Sequence, residues 1–231
     1  MSRKKDIFEK LAYADQRFNE LCDKIFEGGM NVTEVKFLGT MAGDVLASSR
    51  EVFDYCANDI VDVHISPNDA DIASKLASGK LRCYYPFYKT QLTKKGSVFS
   101  KLKDLNRPLH NHLFSIAASI EANKQRPDTL MNYGSLQNMS EMVNQKKHNK
   151  LLAVKPSGSE TVYSQSPSVK FMIPKGQQVG VSYIQLPPDA KHTVGDTYVF
   201  EFNKEDVMKF SMTCKNLTRL IMDDIYNKFL P

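Results

Sequence analysis

The sequence of 231 residues lacks several features that would place it in a known class at once. No apolar run approaches the roughly 18 residues that a membrane-spanning helix requires. The first residues, MSRKKDIFEK, lead directly into an amphipathic pattern, without the apolar stretch or cleavage site of a signal peptide. The four cysteines lie far apart and never form a CxxC pair, which argues against a disulfide framework or a zinc site. We therefore expect a cytoplasmic protein with no membrane partner.

Common catalytic and cofactor motifs are also missing. The chain contains no GxxxxGK[ST], GxGxxG, HExxH or GxSxG pattern, so we expect no cofactor. Hydrophobic residues make up 42% and charged residues 25%, as is usual for a globular domain. The net charge of +5 mildly favours an anionic partner such as RNA, although many proteins of this charge bind nothing acidic.

Apolar residues recur at steps of three and four along most of the chain, which predicts a mainly helical fold. Gly28 and Gly29 end the first helix, Pro108 interrupts the third helical region, and Gly134 weakens the fourth helix. The aromatic stretch Leu81–Tyr88 is expected to be extended around Pro86. We expect the main helices at about residues 5–26, 34–63, 98–123, 127–145 and 205–229.

Residues 150–203 differ from the rest of the chain in their residue pattern. Alternating apolar and β-branched residues are separated there by turn-forming residues. This pattern predicts three or four antiparallel strands. The fold class is therefore α+β, with a helical bundle core, a small antiparallel sheet and a C-terminal helix. We place the helical core at residues 1–149, and the sheet with the last helix at 150–231. A small sheet needs its apolar face covered, so we expect both parts to form one structural unit.

Two segments resemble a poorly characterised bacterial family. Gly43–Val61 reads GDVLASSREVFDYCANDIV, and Met142–Leu152 reads MVNQKKHNKLL. The family reads GDxxHNLRSALDxLAxxL and then NxxKHRxLL, and it is placed near the HEPN helical domains. This resemblance implies a HEPN-like helical bundle. Many HEPN proteins are RNA-cleaving toxins or defence factors, so it also implies action on RNA and an antitoxin or another defence component as a partner.

The first segment contains the candidate pair Arg50 and Asp54, whose side chains are neighbours on a helix because they are four residues apart. The pair is either a structural ion pair or a site for an anion such as RNA phosphate. In the second case the planar guanidinium of Arg50 would bind the anion with two hydrogen bonds. Its neighbours Ala47 and Ala57 are small, and this flank predicts a homodimer through the second helix. Depending on the alignment, the family's His-Asn pair is replaced here by Ala47-Ser48 or by Ser48-Ser49, which removes one potential proton carrier.

The second segment contributes Asn144, Lys147 and His148, which match the family's NxxKH. A histidine at the end of a helix can simply cap its last carbonyl groups. Alternatively, His148 transfers a proton while Lys147 holds a phosphate. An antiparallel return of the fourth helix would bring His148 into one cleft with Arg50.

Arg107 and His112 form a third candidate site, because active HEPN ribonucleases carry an arginine and a histidine that are separated by four to six residues. In one unbroken helix these side chains point about 140° apart. They converge more easily if Arg107 precedes the helix and Pro108 begins it. The alternative is a core histidine, since His112 borders an apolar helix face. The resemblance implies metal-independent attack of the ribose 2′-hydroxyl on its phosphate, with histidine as acid and base.

The remaining signals are weaker. The aromatic stretch carries Arg82 and Lys89, and its rings either stack on single-stranded bases or form a buried aromatic strand; these rings are Tyr84, Tyr85, Phe87 and Tyr88. The turn at Lys155–Ser159 either holds an anion or links two strands. The sequence therefore predicts a HEPN-like protein that binds RNA or acts as a metal-independent endoribonuclease. The alternative is a non-catalytic, homo-oligomeric interaction module.

Overall fold

The computed structural model describes residues 3–127, 129–147, 152–165, 170–174 and 191–231. It is mainly helical, with a small antiparallel sheet and a C-terminal helix, which confirms the predicted fold class. The helices are α1 (Lys4–Glu27), α2 (Val32–Ile60), α3 (Ala70–Ala77), α4 (Lys89–Thr93), α5 (Leu102–Leu105), α6 (Arg107–Glu121), α7 (Gly134–Lys147) and α8 (Val207–Lys228). The strands are β1 (Val154–Gln165), β2 (Lys170–Pro174) and β3 (Lys191–Phe200).

Helix α2 is the centre of the fold, and α1, α7, α8 and β1 all pack against it. Asn31 begins it with a capping box, in which the Asn31 side chain accepts from the Glu34 amide and the Glu34 side chain accepts from the Asn31 amide. The predicted helix end near Val63 falls within a π-helical turn, Val61–Ile65, that continues α2. No helix among the described residues is long and apolar enough to cross a membrane.

A buried carboxylate, that of Asp59 on α2, joins α1 to α8. It accepts hydrogen bonds from the Arg3 backbone amide at 2.8 Å, from Arg3 Nη1 at 2.8 Å and from the Tyr226 hydroxyl at 2.7 Å. Burial raises the pKa of Tyr226, so its hydroxyl stays protonated and donates. A buried carboxylate requires such partners because it has lost its contact with water. Asp59 therefore holds the start of α1 and the end of α8 against α2.

The third helical region restarts close to the predicted position. Asn106 caps α6, because its side-chain oxygen accepts from the Leu109 amide at 3.1 Å. Helix α6 consequently begins at Arg107, and Pro108 lies in its first turn, where a missing amide proton costs nothing. The preceding residues form a 3-10 turn, Val98–Lys101, and the short helix α5.

The fourth helix begins at Gly134, and the predicted start near residue 127 is wrong. The chain instead makes a hairpin-like turn, in which the Arg126 amide donates to the Met131 carbonyl and the Tyr133 amide donates to the Lys124 carbonyl. These backbone groups are therefore not available for helical hydrogen bonds. Leu130, which lies within the predicted range of the fourth helix, is 95% exposed in the turn.

The sheet has the strand order β2-β1-β3, with both pairings antiparallel. The segment Lys155–Ser159 lies within β1 and is not the predicted turn between strands. The register shifts between Pro156 and Glu160, and this irregularity accommodates the proline and Gly158 inside the strand. Predicted strand residues at 169 and 181–186 lie outside the described residues. Val154, Tyr198 and Phe200 are buried in the same apolar cluster as the helices.

Candidate functional site

The Arg50–Asp54 pair is engaged within the fold. Arg50 Nη1 donates to Asp54 Oδ1 at 2.5 Å, and Arg50 Nε donates to Ser140 Oγ on α7 at 3.4 Å. The Arg50 guanidinium also lies 4.8 Å from the centre of the Phe87 ring. The Tyr85 amide donates to Asp54 Oδ1 at 3.4 Å. The pair thus connects α2 to α7 and to the aromatic stretch, which favours the structural alternative over a fork open to phosphate.

The small-residue flank of α2 is covered by the chain itself, so the predicted homodimer contact there is wrong. Ala57 is fully buried, Ala47 packs against the core, and the Arg50 side chain is only 12% exposed. Small residues at these positions let the chain's own segments approach the helix closely. A homodimer through another surface stays a prediction.

The predicted Asn144, Lys147 and His148 site is described only in part. Asn144 is exposed near the end of α7, whereas His148 and the side chain of Lys147 lie outside the described residues. The proposed cleft shared by Arg50 and His148 therefore also lies outside them. The neighbouring Lys146 donates to Asp44 Oδ1 at 2.6 Å and fastens this end of α7 to α2.

Arg107 and His112 do not converge. Both belong to α6, with Arg107 exposed as its first residue, so the two side chains point about 140° apart. His112 is half-buried, and its ring centre lies 5.3 Å from that of Phe229. Its Nε2 atom is buried and has no hydrogen-bond partner among the described residues. Burial, which outweighs the nearby Asp224, lowers the pKa of His112.

Arg126 and Lys228 are the cations that act on His112, and both contribute to lowering its pKa. Arg126 Nη1 donates to the Tyr133 hydroxyl at 3.1 Å, and Nη2 lies 3.5 Å from Asp224 Oδ2. Lys228 Nζ lies 3.1 Å from the other oxygen of Asp224. Sequence reasoning missed this cluster, because the turn after α6 and the end of α8 bring together residues that are distant in the chain.

The lowered pKa of His112 predicts how stability changes with pH. The unfolded chain binds this proton more readily than the folded chain, so the free energy of unfolding should decrease as the pH falls below about 6.5. His112→Gln cannot bind the proton and should show a weaker decrease over the same pH range. Urea denaturation of both proteins between pH 7.5 and about 5 measures the difference. Equal slopes would show that His112 does not contribute.

A second feature missed in the sequence is a strongly basic segment, residues 72–103, which we call the basic segment. It contains eight basic residues and no acidic one: Lys75, Lys80, Arg82, Lys89, Lys94, Lys95, Lys101 and Lys103. Three of them pair with acidic residues outside the segment, as Lys75 with Asp71, Lys89 with Glu121, and Lys101 with Asp69. The other five are exposed and have no ion pair in the described parts of the chain. Counting the charged residues along the sequence would have identified the basic segment.

The aromatic stretch inside the basic segment alternates between core and surface. Tyr85 and Phe87 are buried, and each makes an edge contact with Phe53 of α2. Tyr84 is 50% exposed and Tyr88 is 36% exposed. The buried alternative therefore holds for Tyr85 and Phe87, whereas Tyr84 and Tyr88 face outward, and base stacking stays a prediction.

The chain matches no known family, curated protein or solved structure in the comparisons made with each. Within the described residues, no three histidine, cysteine, aspartate or glutamate side chains are grouped so that they could hold a metal ion. The charge distribution and the geometry around the aromatic stretch and His112 therefore carry the functional argument.

Proposed function

We propose that this protein binds RNA through its basic segment, residues 72–103. The observation that carries the proposal is the presence of eight basic residues and no acidic residue in a segment that also exposes two tyrosines. Lysine and arginine neutralise phosphates and release the counterions that surround a nucleic acid. Exposed aromatic rings stack on bases without regard to sequence.

The combination of charge and aromatic rings favours RNA over a small anion. Arg82 and Tyr84 are both exposed within the aromatic stretch, and Tyr88 and Lys89 follow at the start of α4. Lys94 and Lys95 lie exposed just after α4. Positive charge thus extends along a continuous stretch of chain, as expected for contact with several successive phosphates.

Reversing two of these charges tests the proposal. We expect the double variant Lys94→Glu and Lys95→Glu to bind single-stranded RNA at least about tenfold more weakly than the wild type, because two phosphate contacts become repulsive. The plot of log K against log salt concentration has a negative slope, and its magnitude should decrease by about 1.4, the value for two contacts with a single strand. Fluorescence anisotropy with a labelled oligonucleotide over a salt series measures both effects.

The matched control reverses Lys36 and Lys209, which are also exposed but lie on α2 and α8. This variant has the same net charge as the first and should keep nearly the wild-type affinity. Equal weakening by both variants would mean that overall charge, and not the basic segment, determines binding. A wild-type protein that binds no RNA at low salt would contradict the proposal outright.

Metal-independent RNA cleavage at His112 is a second candidate, favoured by the placement of a half-buried imidazole near Arg126 and Lys228. Its lowered pKa keeps His112 neutral near pH 7, as a general base must be. In such a reaction His112 takes the proton of the ribose 2′-hydroxyl while this oxygen bonds to phosphorus. The bond to the 5′ oxygen breaks, this oxygen takes a proton from water, and a 2′,3′-cyclic phosphate remains.

Asp224 is the main obstacle at this site, because it holds both cations in the free protein. A phosphate would have to share them or displace the carboxylate. Products that end in 2′,3′-cyclic phosphate, formed in the presence of EDTA by protein free of contaminating nuclease, would support cleavage. If the RNA stays intact after prolonged incubation, the protein does not cleave RNA, and only the proposal of RNA binding remains.

The alternative is a non-catalytic, homo-oligomeric interaction module. One observation favours it, since Val32 and Phe37 at the start of α2 are 75% and 53% exposed. Apolar side chains at the surface are often covered by another protein. Sedimentation equilibrium at tens of micromolar measures the oligomeric state. An oligomer that binds no RNA would favour this function.

A further inference from the structure

A groove lies between α2 and α3, and the aromatic stretch forms one of its walls. We call it the α2–α3 groove; its volume is about 590 Å³. Volumes of this size are typical of sites that take a small molecule or one unit of a larger one. The groove opens beside Arg82 and Tyr84, two of the exposed residues of the basic segment. It therefore adjoins the surface to which we assign RNA binding.

The acidic residues of the groove are bonded to arginines. Asp54 is paired with Arg50 at 2.5 Å, and Asp62 is paired with Arg3 at 2.9 Å. Arg82 is exposed at the groove and has no ion pair within the described residues. Arg3 also bonds to Asp59, so three arginines stand against three aspartates around the groove. An anionic ligand therefore meets no net negative charge there.

The lining offers both an apolar surface and polar groups. Leu76 and Leu81 are partly buried and contribute apolar surface, and the half-exposed ring of Tyr84 stands beside them. Ser66 also lines the groove, and its hydroxyl oxygen is buried without a hydrogen-bond partner among the described residues. This oxygen is not accessible from the groove, and the exposed guanidinium of Arg82 is the polar group that a ligand meets there. A nucleotide combines a base with two flat apolar faces and a charged phosphate.

We propose that the α2–α3 groove receives an unpaired base of single-stranded RNA. Tyr84 stacks on the base, and Arg82 contacts the adjoining phosphate. This inference rests on the proposed RNA binding and adds that the ligand is single-stranded. A base within a duplex is stacked and paired on both sides, so it enters the groove only after those interactions are broken.

The test compares a labelled single strand with the same strand annealed to its complement. We expect the wild type to bind the single strand more tightly than the duplex. Tyr84→Ala should weaken single-strand binding about 5- to 100-fold, the range for loss of one stacked base. Tyr13→Ala removes a similarly exposed tyrosine from α1, outside the groove, and should leave the affinity unchanged.

A second variant tests the groove without removing an aromatic ring. Ala77 lines the groove and is exposed at the end of α3, so Ala77→Phe fills the space at little expected cost to folding. It should weaken single-strand binding and leave duplex binding unchanged. Thermal melting of each variant checks that it is folded.

The outcomes separate this inference from the proposed function. If Tyr84→Ala and Ala77→Phe bind like Tyr13→Ala while reversal of Lys94 and Lys95 weakens binding, the groove does not take a base, but the protein still binds RNA. Equal wild-type affinity for single strand and duplex also overturns the inference. If the wild type binds neither form, the proposed function fails as well.

Discussion

Gly39→Ala is expected to lower the free energy of unfolding by about 2–4 kcal/mol. A Cβ atom at Gly39 would lie 1.9 Å from the carbonyl oxygen of Leu152, which belongs to the backbone entering β1. Alanine normally stabilises a helix relative to glycine by about 1 kcal/mol, but no side-chain rotation relieves a clash with backbone. Helix α2 and the start of β1 would have to separate. Urea denaturation of wild type and variant measures the loss.

Gly43→Ala is the matched control, one helical turn further along α2. A Cβ atom there would lie 3.3 Å from the end of the Lys146 side chain and 3.5 Å from a methyl group of Leu152. The flexible lysine can move by a few tenths of an ångström, so we expect a stability within about 1 kcal/mol of the wild type. Equal effects of the two substitutions would contradict the close approach of β1 to Gly39.

His112→Gln is expected to slow RNA cleavage about 10²- to 10⁴-fold if the second candidate function is correct, because glutamine cannot accept the 2′-hydroxyl proton. Arg126→Gln should also slow cleavage, since one of the two cations near the imidazole is lost. Single-turnover cleavage of a labelled RNA in EDTA measures the rates. RNA affinity, measured in parallel, should stay close to that of the wild type for His112→Gln.

Arg107→Gln is the control for this prediction. Arg107 fits the sequence pattern of a HEPN ribonuclease, but it points away from His112 on the same helix. Cleavage at the wild-type rate by Arg107→Gln, together with slow cleavage by Arg126→Gln, would support the site built around Arg126. The reverse result would restore the site predicted from the sequence. Unchanged cleavage by His112→Gln would assign His112 to the core.

The long helices could be predicted from the sequence because their apolar period is strong and their ends carry local signals. The Asn31 capping box and the Asn106 cap are examples, since each acts within three residues. The start of α7 could not be predicted in this way. Its position depends on backbone hydrogen bonds across the turn between Lys124 and Tyr133. The apolar Leu130 in this turn has the spacing that is expected of a buried helical residue.

The candidate sites show the same division between local and distant interactions. The Arg50–Asp54 pair followed from a spacing of four residues on a helix, and the basic segment could have been found by counting charges locally. The approach of Arg126 and Lys228 to His112 has no local signal, because three separate segments meet there. For the same reason, the burial of Ala57 was not visible in the small-residue pattern that suggested a homodimer.

The hydrogen bonds to Asp59 have a consequence for the order of events during synthesis on the ribosome. Tyr226 follows Asp59 by 167 residues, so the carboxylate is made long before its hydroxyl partner. During this interval α2 lacks α8, although its central position requires α8 to cover it. Contacts between residues so distant in the chain form late, because a long loop must close first. The central helix of the fold is thus synthesised long before the helix that completes its enclosure.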